Sequence, residues 1–184
     1  MNDKYLVVIA GPTASGKTAT AIKVAKALGT EIISADSRQF YKELPIGTAA
    51  PTKDEQSEVQ HHMIHNLNVE DKYDVADYEQ DVLNLLKQLF VNHDAVVLTG
   101  GSGLFIDAVC KGLDSIPDIS EEVRNKVDEL YKKGGLIALQ NEVERLDSEY
   151  YNIVDKYNPR RLQRAVEVCY QPGLTYSSFR KNHV

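Results

Sequence analysis

Residues 11–18 read Gly-Pro-Thr-Ala-Ser-Gly-Lys-Thr, a G-x-x-x-x-G-K-[ST] run that narrows the fold more than any other stretch of the chain. In front of it stands YLVVIA (5–10), a short apolar, β-branched run of the kind that forms a buried parallel strand. Behind it, the Ala- and Lys-rich stretch Lys17 to Leu28 ends at Gly29 and reads as a helix with a glycine C-cap. Strand, loop and helix in that order are the context such a motif needs. The glycines let backbone N–H groups wrap an anion, and the helix N-terminus adds positive potential. Gly11, Pro12, Thr13, Ala14, Ser15, Gly16, Lys17 and Thr18 are therefore expected to cradle the phosphates of a di- or triphosphate. Lys17 would neutralise the terminal phosphate, and Thr18 would offer its hydroxyl to Mg²⁺.

The following segments extend this start into an α/β fold. Glu31 to Ala35 reads as a second strand, giving a β-loop-α-β unit that begins a parallel sheet. Residues 41–72 are mixed and polar, with Pro45, Gly47 and Pro51, and read as irregular structure over the sheet edge. From Asp74 to about Val91 the apolar residues Val75, Tyr78, Val82, Leu85, Leu86 and Leu89 form a helical stripe. Ala95 to Thr99 is a third strand, followed by Gly100-Gly101-Ser102-Gly103 and a helix to about Lys111. After Pro117 strand signals vanish. Helices are expected from Ser120 to Lys133, broken by Gly134-Gly135, and then at about 136–145, 148–155 and 159–170. The expectation is a P-loop NTPase-like parallel α/β core over residues 1–115 and a helical region over 116–184.

No apolar run approaches the roughly 18–20 residues of a membrane span, and the N-terminus leads into a strand rather than a signal peptide. Cys110 and Cys169 form neither a disulfide framework nor a metal-binding C-x-x-C, which fits a reducing cytoplasm and two small buried side chains. The net charge of −6 hides an asymmetry: residues 1–150 hold 15 basic and 25 acidic residues, whereas 151–184 hold six basic and two acidic. A basic segment on an acidic chain hints at a polyanionic partner.

Four further features carry candidate chemistry. Asp36 follows the second strand, and ligands of open α/β sheets bind at the carboxyl ends of strands. It reads as a metal ligand, a general base, or the cap of the turn Ser37 to Tyr41; Ser37, Arg38 and Gln39 add donors beside it. The third strand has no acid at its carboxyl end, where a Walker-type NTPase usually has an Asp for Mg²⁺. Gly100 to Gly103 reads equally as a second ligand-facing surface or a plain tight turn. His61, His62 and His65 lack the Glu of an H-E-x-x-H site and read as ordinary loop histidines. Asn158-Pro159 caps a helix whose Arg160, Arg161 and Arg164 fall within one turn, with Leu162, Val166 and Cys169 on its buried side. With no acid between those arginines, they suit a phosphate backbone as well as a solvated face.

The segments GPTASGKT (11–18), ISADSRQFYKELPIGTAAPT (33–52), HHMIHNL (61–67), VLTGGSGLF (97–105) and NPRRLQRAVEV (158–168) together resemble the tRNA dimethylallyltransferases, in family order over nearly the whole chain. Two residues depart from the family pattern: Ser102 stands where Thr is common, and Pro172 where Thr usually precedes the Gly. Members usually run considerably further than Val184, and the missing portion is expected to complete the helical region and some tRNA contacts. The resemblance implies transfer of a five-carbon allyl group from dimethylallyl diphosphate to N6 of the adenine 3′ to the anticodon, in a monomeric enzyme using Mg²⁺. It assigns catalysis to Asp36, Lys17 and Thr13. It assigns tRNA contacts to Asp36, Ser37, Arg38, Gln39, Ser102, Arg124, Arg160, Arg161, Leu162, Gln163 and Arg164. Two alternatives stand beside it: an adenylate isopentenyltransferase acting on free AMP, ADP or ATP, and a small-molecule P-loop kinase with Asp36 positioning an acceptor hydroxyl.

Overall fold

The computed structural model describes residues 3–44, 47–114, 116, 118–171 and 175–179, so the expectations at Pro172, Arg180 and Lys181 fall outside the described residues. Two compact units are present, Met1–Leu113 and Asp114–Val184.

The first unit runs β1 (Tyr5–Ala10), α1 (Lys17–Leu28), β2 (Ile32–Ser34), α2 (Lys53–Glu58), β3 (His61–His62), α3 (Val75–Asn92), β4 (Ala95–Gly100) and α4 (Gly103–Lys111). The strands form one parallel sheet in the order β1-β4-β2-β3. Its centre is apolar on both faces, with Ile32, Ile33 and Val96 to Leu98 fully buried. Ala21, Ile22 and Ala25 of α1 cover one face through Ile32 and Val97. Tyr78, Val82, Leu86 and Leu89 of α3, with Val109 of α4, cover the other through Ile33, Val96 and Leu98. Each such side chain contributes about 1.5–3 kcal/mol on burial. The Tyr78 hydroxyl donates to the Ser34 carbonyl at 2.8 Å, so its one polar atom is satisfied inside the core.

Two elements differ from the sequence expectation. Among the described residues β1 pairs only with β4, and it lies at the sheet edge with Tyr5 59% and Val8 39% exposed. A continuous apolar run marks a parallel strand but does not say whether both of its neighbours are present. The stretch 41–72 is not wholly irregular. Thr52 opens α2 with a capping box, accepting from the Glu55 amide at 3.2 Å while Glu55 accepts from the Thr52 amide at 2.8 Å. The two-residue β3 is too short to leave a periodic trace.

The second unit holds α5 (Glu121–Leu146), α6 (Ser148–Ile153), α7 (Pro159–Tyr170) and α8 (Tyr176–Phe179). The expected break at Gly134-Gly135 is a kink within α5, where Gly135 takes φ 63° and ψ −156°. Val127, Leu139, Val143, Leu162, Ala165 and Val166 form the core of this unit. Asn158 accepts from the Arg161 amide at 3.3 Å and caps α7, with Pro159 as its first residue. Buried Asp147 caps α6 through the Tyr150 amide at 2.9 Å and also accepts from the Ser177 amide at 2.6 Å, tying α8 to α6. No helix among the described residues is long and apolar enough to cross a membrane.

The backbone of Gly135 lies in a region that is essentially restricted to glycine. Gly135→Ala is expected to destabilise the chain by about 1–3 kcal/mol, read as a lower urea midpoint with near-native circular dichroism below it.

Candidate active site

The loop after β1 turns through left-handed residues, Ala14 at φ 63° and Gly16 at φ 79°, before α1 begins. Gly16 caps α1 without a side-chain hydrogen bond, so the first-turn amides of α1 have no side chain folded over them. Lys17 Nζ donates to the Pro12 carbonyl at 2.6 Å, which holds the ammonium at the loop. A Cβ on Gly11 would stand 3.2 Å from Ser15 Oγ, so the loop closes tightly at its first glycine.

The ends of β2 and β4 are brought together just as tightly. A Cβ on Gly100 would lie 2.1 Å from the Ala35 carbonyl oxygen, a distance no side chain tolerates. The Ala35 amide donates to Thr99 O at 2.7 Å, and the Ser102 amide donates to Ala35 O at 3.1 Å. At Gly101 a Cβ would meet Gly11 O at 3.5 Å and Asp36 Oδ2 at 3.7 Å. The glycine loop, the Asp36 turn and the Gly100–Gly103 turn therefore converge on one point. Ser102 Oγ accepts from the Ser37 amide at 3.1 Å and fastens the last two together, so the glycine turn is a wall as well as the start of α4.

A cavity of about 240 Å³ opens at this convergence. Thr13 to Ala19, Ser34, Asp36, Gln39, Thr99 and Gly100 line it, together with Ala49, Pro51, Glu55, His61 and Ile64. Gly11 and Pro12 stay behind the lining, one giving the loop room and the other anchoring Lys17. Of the readings its position allowed, Asp36 shows the turn cap. Its Oδ1 accepts from the Arg38 amide at 3.2 Å, capping the turn, while its carboxylate borders the cavity beside Lys17 and Thr18.

Gln39 does something else. Its side chain is buried, Oε1 accepts from Ser34 Oγ at 2.9 Å, and Nε2 donates to Thr48 O and Ala49 O at 3.1 Å each. With both amide hydrogens committed, Gln39 holds the cavity wall and presents no free donor to a ligand. Ser37 is half-buried and Arg38 exposed on the turn just outside.

The second unit sorts the remaining candidates. Arg124, Arg160 and Arg161 are exposed, and Arg164 pairs with Glu167 at 3.6 Å. Gln163 donates to Asp128 at 3.0 Å. Leu162 is fully buried in the helical core, so it orients α7 and reaches no surface.

The three histidines expected in a loop go three ways, with His61 and His62 forming strand β3. His61 Nδ1–H donates to Val59 O at 2.8 Å, and burial lowers its pKa, leaving a neutral ring whose Nε2 has no hydrogen-bond partner among the described residues. His62 Nε2 meets Glu31 at 2.5 Å, with His93 on the other oxygen of the same carboxylate at 3.5 Å. His65 Nε2 is buried and likewise unpartnered among the described residues. Ala49, Pro51, Glu55, His61 and Ile64 were not picked out as lining residues from sequence. The one local signal there was the T-x-x-E capping box at Thr52, which places Glu55 on a helix.

A parallel sheet whose first strand leads through a glycine loop into a helix, with a carboxylate from the turn after β2 in the same cavity, defines an α/β fold of P-loop type. Residues 39–184 match the family model described as IPP transferase, and the chain belongs to that family. It is 48% identical over 175 residues to tRNA dimethylallyltransferase 1 of Bacteroides thetaiotaomicron, covering 95% of this chain and 57% of that protein. It is 49% identical to the protein of the same name in Phocaeicola vulgatus, covering 95% and 58%. Among solved structures it is similar to the full-length tRNA isopentenylpyrophosphate transferase of Bacillus halodurans, at 32% identity and TM-score 0.60, covering 95% of this chain and 58% of that one. A eukaryotic dimethylallyltransferase acting on tRNA shares the fold at TM-score 0.74 and 21% identity, covering 99% and 46%. The chain thus spans somewhat over half the length of the curated relatives it matches.

The lowered pKa of His61 has a consequence for stability. Between that value and the ordinary 6.5, the unfolded chain binds a proton at this position that the folded chain refuses. Stability should therefore fall as pH drops below about 6.5 and be unaffected by this group above it. His61→Gln should flatten that acid-side slope in urea titrations across pH 5–7.

Proposed function

We propose that this chain carries the catalytic core of an enzyme that transfers the dimethylallyl group of dimethylallyl diphosphate to N6 of the adenine 3′ to the anticodon in tRNA. The observation that carries this reading is the shared cavity. The glycine loop Thr13–Thr18 and the Asp36 carboxylate line one cavity, in a chain whose relatives bear the name tRNA dimethylallyltransferase.

The diphosphate is the leaving group, so the loop grips it as it would a nucleotide tail. As the C1–oxygen bond of the allyl group breaks, negative charge builds on the diphosphate. Lys17, the first-turn amides of α1 and the Thr13 hydroxyl would stabilise that charge, a reading supported by the presence of Thr13 and Lys17 in the cavity lining. Nitrogen N6 forms the new bond to C1, and its proton passes to the Asp36 carboxylate. No water or phosphoryl acceptor needs activation, which accounts for a third strand without a metal-binding acid. Among the described residues no group of three or more His, Cys, Asp or Glu could hold a metal, and the Thr18 hydroxyl lines the cavity. That donor set suits Mg²⁺, which keeps several waters and takes its remaining ligands from substrate phosphates. Bound there, the ion would add positive charge beside the leaving group.

An adenine in a stacked anticodon loop must be unstacked to react. Ser37, Arg38 and Ser102 would meet the extruded nucleotide, while Arg124, Arg160, Arg161 and Arg164 would hold phosphates. Leu162, Gln163 and Gln39 act by fixing the elements that carry these groups.

Incubation with labelled dimethylallyl diphosphate and either unmodified tRNA or AMP tests the reading. Label in tRNA supports it; label in AMP, or ATP-dependent phosphorylation without label transfer, overturns it. Asp36→Ala is expected to lower transfer about 10²–10⁴-fold while leaving diphosphate binding intact, whereas Lys17→Ala should abolish that binding. Arg161→Ala should weaken tRNA binding regardless of sequence and reduce its salt slope by about 1.

A further inference from the structure

Only four non-glycine residues among those described have positive φ: Ala14, Ala49, Met63 and His65. Two of them line the cavity, and the other two stand on either side of Ile64, which lines it as well. Left-handed backbone at a non-glycine residue persists only where the surroundings over-determine it. Here they do. The His65 amide donates to Gln39 O and the Leu67 amide to Phe40 O, both at 2.9 Å. Met63 packs against the aromatic core that contains Phe40 and Tyr78. Across the cavity, the Gln39 amide fixes the backbone at Thr48 and Ala49. Ile64 is itself β-branched and stiff at χ1. The backbone on both sides of this half-buried side chain is held in place.

The position of this wall gives it a task, on the reading that the cavity holds dimethylallyl diphosphate. The diphosphate lies in the Thr13–Thr18 loop and C1 lies near Asp36, so the hydrocarbon must extend toward the rest of the lining. The sheet order β1-β4-β2-β3 sets the turn after β3 beyond the Asp36 turn from the loop after β1, and outside that loop and α1 (Ala14, Ala19) the apolar residues of the lining are Ala49, Pro51 and Ile64. We propose that Ile64 is a chain-length stop: held between left-handed Met63 and His65, it closes the hydrocarbon end of the cavity to anything longer than five carbons. The site therefore selects dimethylallyl diphosphate over geranyl diphosphate, whose ten-carbon chain carries the same reactive end. A wall that cannot retreat discriminates by exclusion, whereas a yielding wall would admit the longer chain and gain from its added contacts.

Calorimetric titration of the chain with inorganic diphosphate, dimethylallyl diphosphate and geranyl diphosphate tests this. The unaltered chain should prefer dimethylallyl over geranyl diphosphate by more than about tenfold, within the range that apolar pockets achieve. Ile64→Ala should shift that ratio toward geranyl by about tenfold or more, and Ile64→Val should fall between. Inorganic diphosphate, which does not reach the wall, reports on the cradle and should bind all three chains alike. If Ile64→Ala loses that binding, the ratio in Ile64→Val decides. An unchanged ratio in the variants, or equal affinity of the unaltered chain for both prenyl diphosphates, overturns the stop. Failure of the unaltered chain to bind dimethylallyl diphosphate more tightly than inorganic diphosphate overturns the functional reading instead.

Discussion

The backbone of Gly100 rests against the carbonyl of Ala35 more closely than any side chain would permit. This contact sets how near the ends of two neighbouring strands can come, and the site is built on that proximity. It draws the Asp36 turn up to the glycine turn after β4, and Gly101 brings both against the glycine loop after β1. Three segments distant in sequence share one cavity because two glycines let backbone lie on backbone. The sheet supplies direction, since in a parallel sheet all the strands deliver their following turns to the same edge.

Around this convergence the protein fixes its walls with hydrogen bonds that are internal to it. Gln39 is the clearest instance. A residue in the same turn as Asp36, among other donors, looks from its neighbours like a ligand contact. In the folded chain its amide is consumed by Ser34, Thr48 and Ala49. A buried amide with all its hydrogens paired rigidifies what it touches, and leaving it half-paired would be costly. The same division holds in α7, where exposed arginines stand beside fully buried Leu162.

How much of this was legible in the sequence depended on how local each signal was. The loop at 11–18, helix α1, the helical stripe of α3 and the Asn158–Pro159 start of α7 are written in nearby residues and stand where they were expected. The position of Asp36 followed from strand direction alone. The far side of the cavity did not. Ala49, Pro51 and Ile64 carry no motif; they meet because of a two-residue strand and a pair of left-handed residues that are neither glycine nor asparagine. The edge position of β1 was hidden for a related reason, since an apolar run reports burial of side chains and not the number of paired neighbours.

That edge has a bearing on the behaviour of the chain in solution. The Tyr5 amide is spent on Asp94 O, and in a parallel ladder alternate residues turn their amides to the same neighbour, so Leu6, Val8 and Ala10 turn theirs away from β4. Beside them stand the exposed side chains of Tyr5 and Val8. Among the described residues, the strand that leads into the 11–18 loop is hydrogen-bonded along one side only, and an unpaired strand edge is a template for an extended segment that comes into register. The glycine loop at 11–18 therefore hangs from an edge strand, and a segment pairing with that edge would act on the strand that leads into the loop.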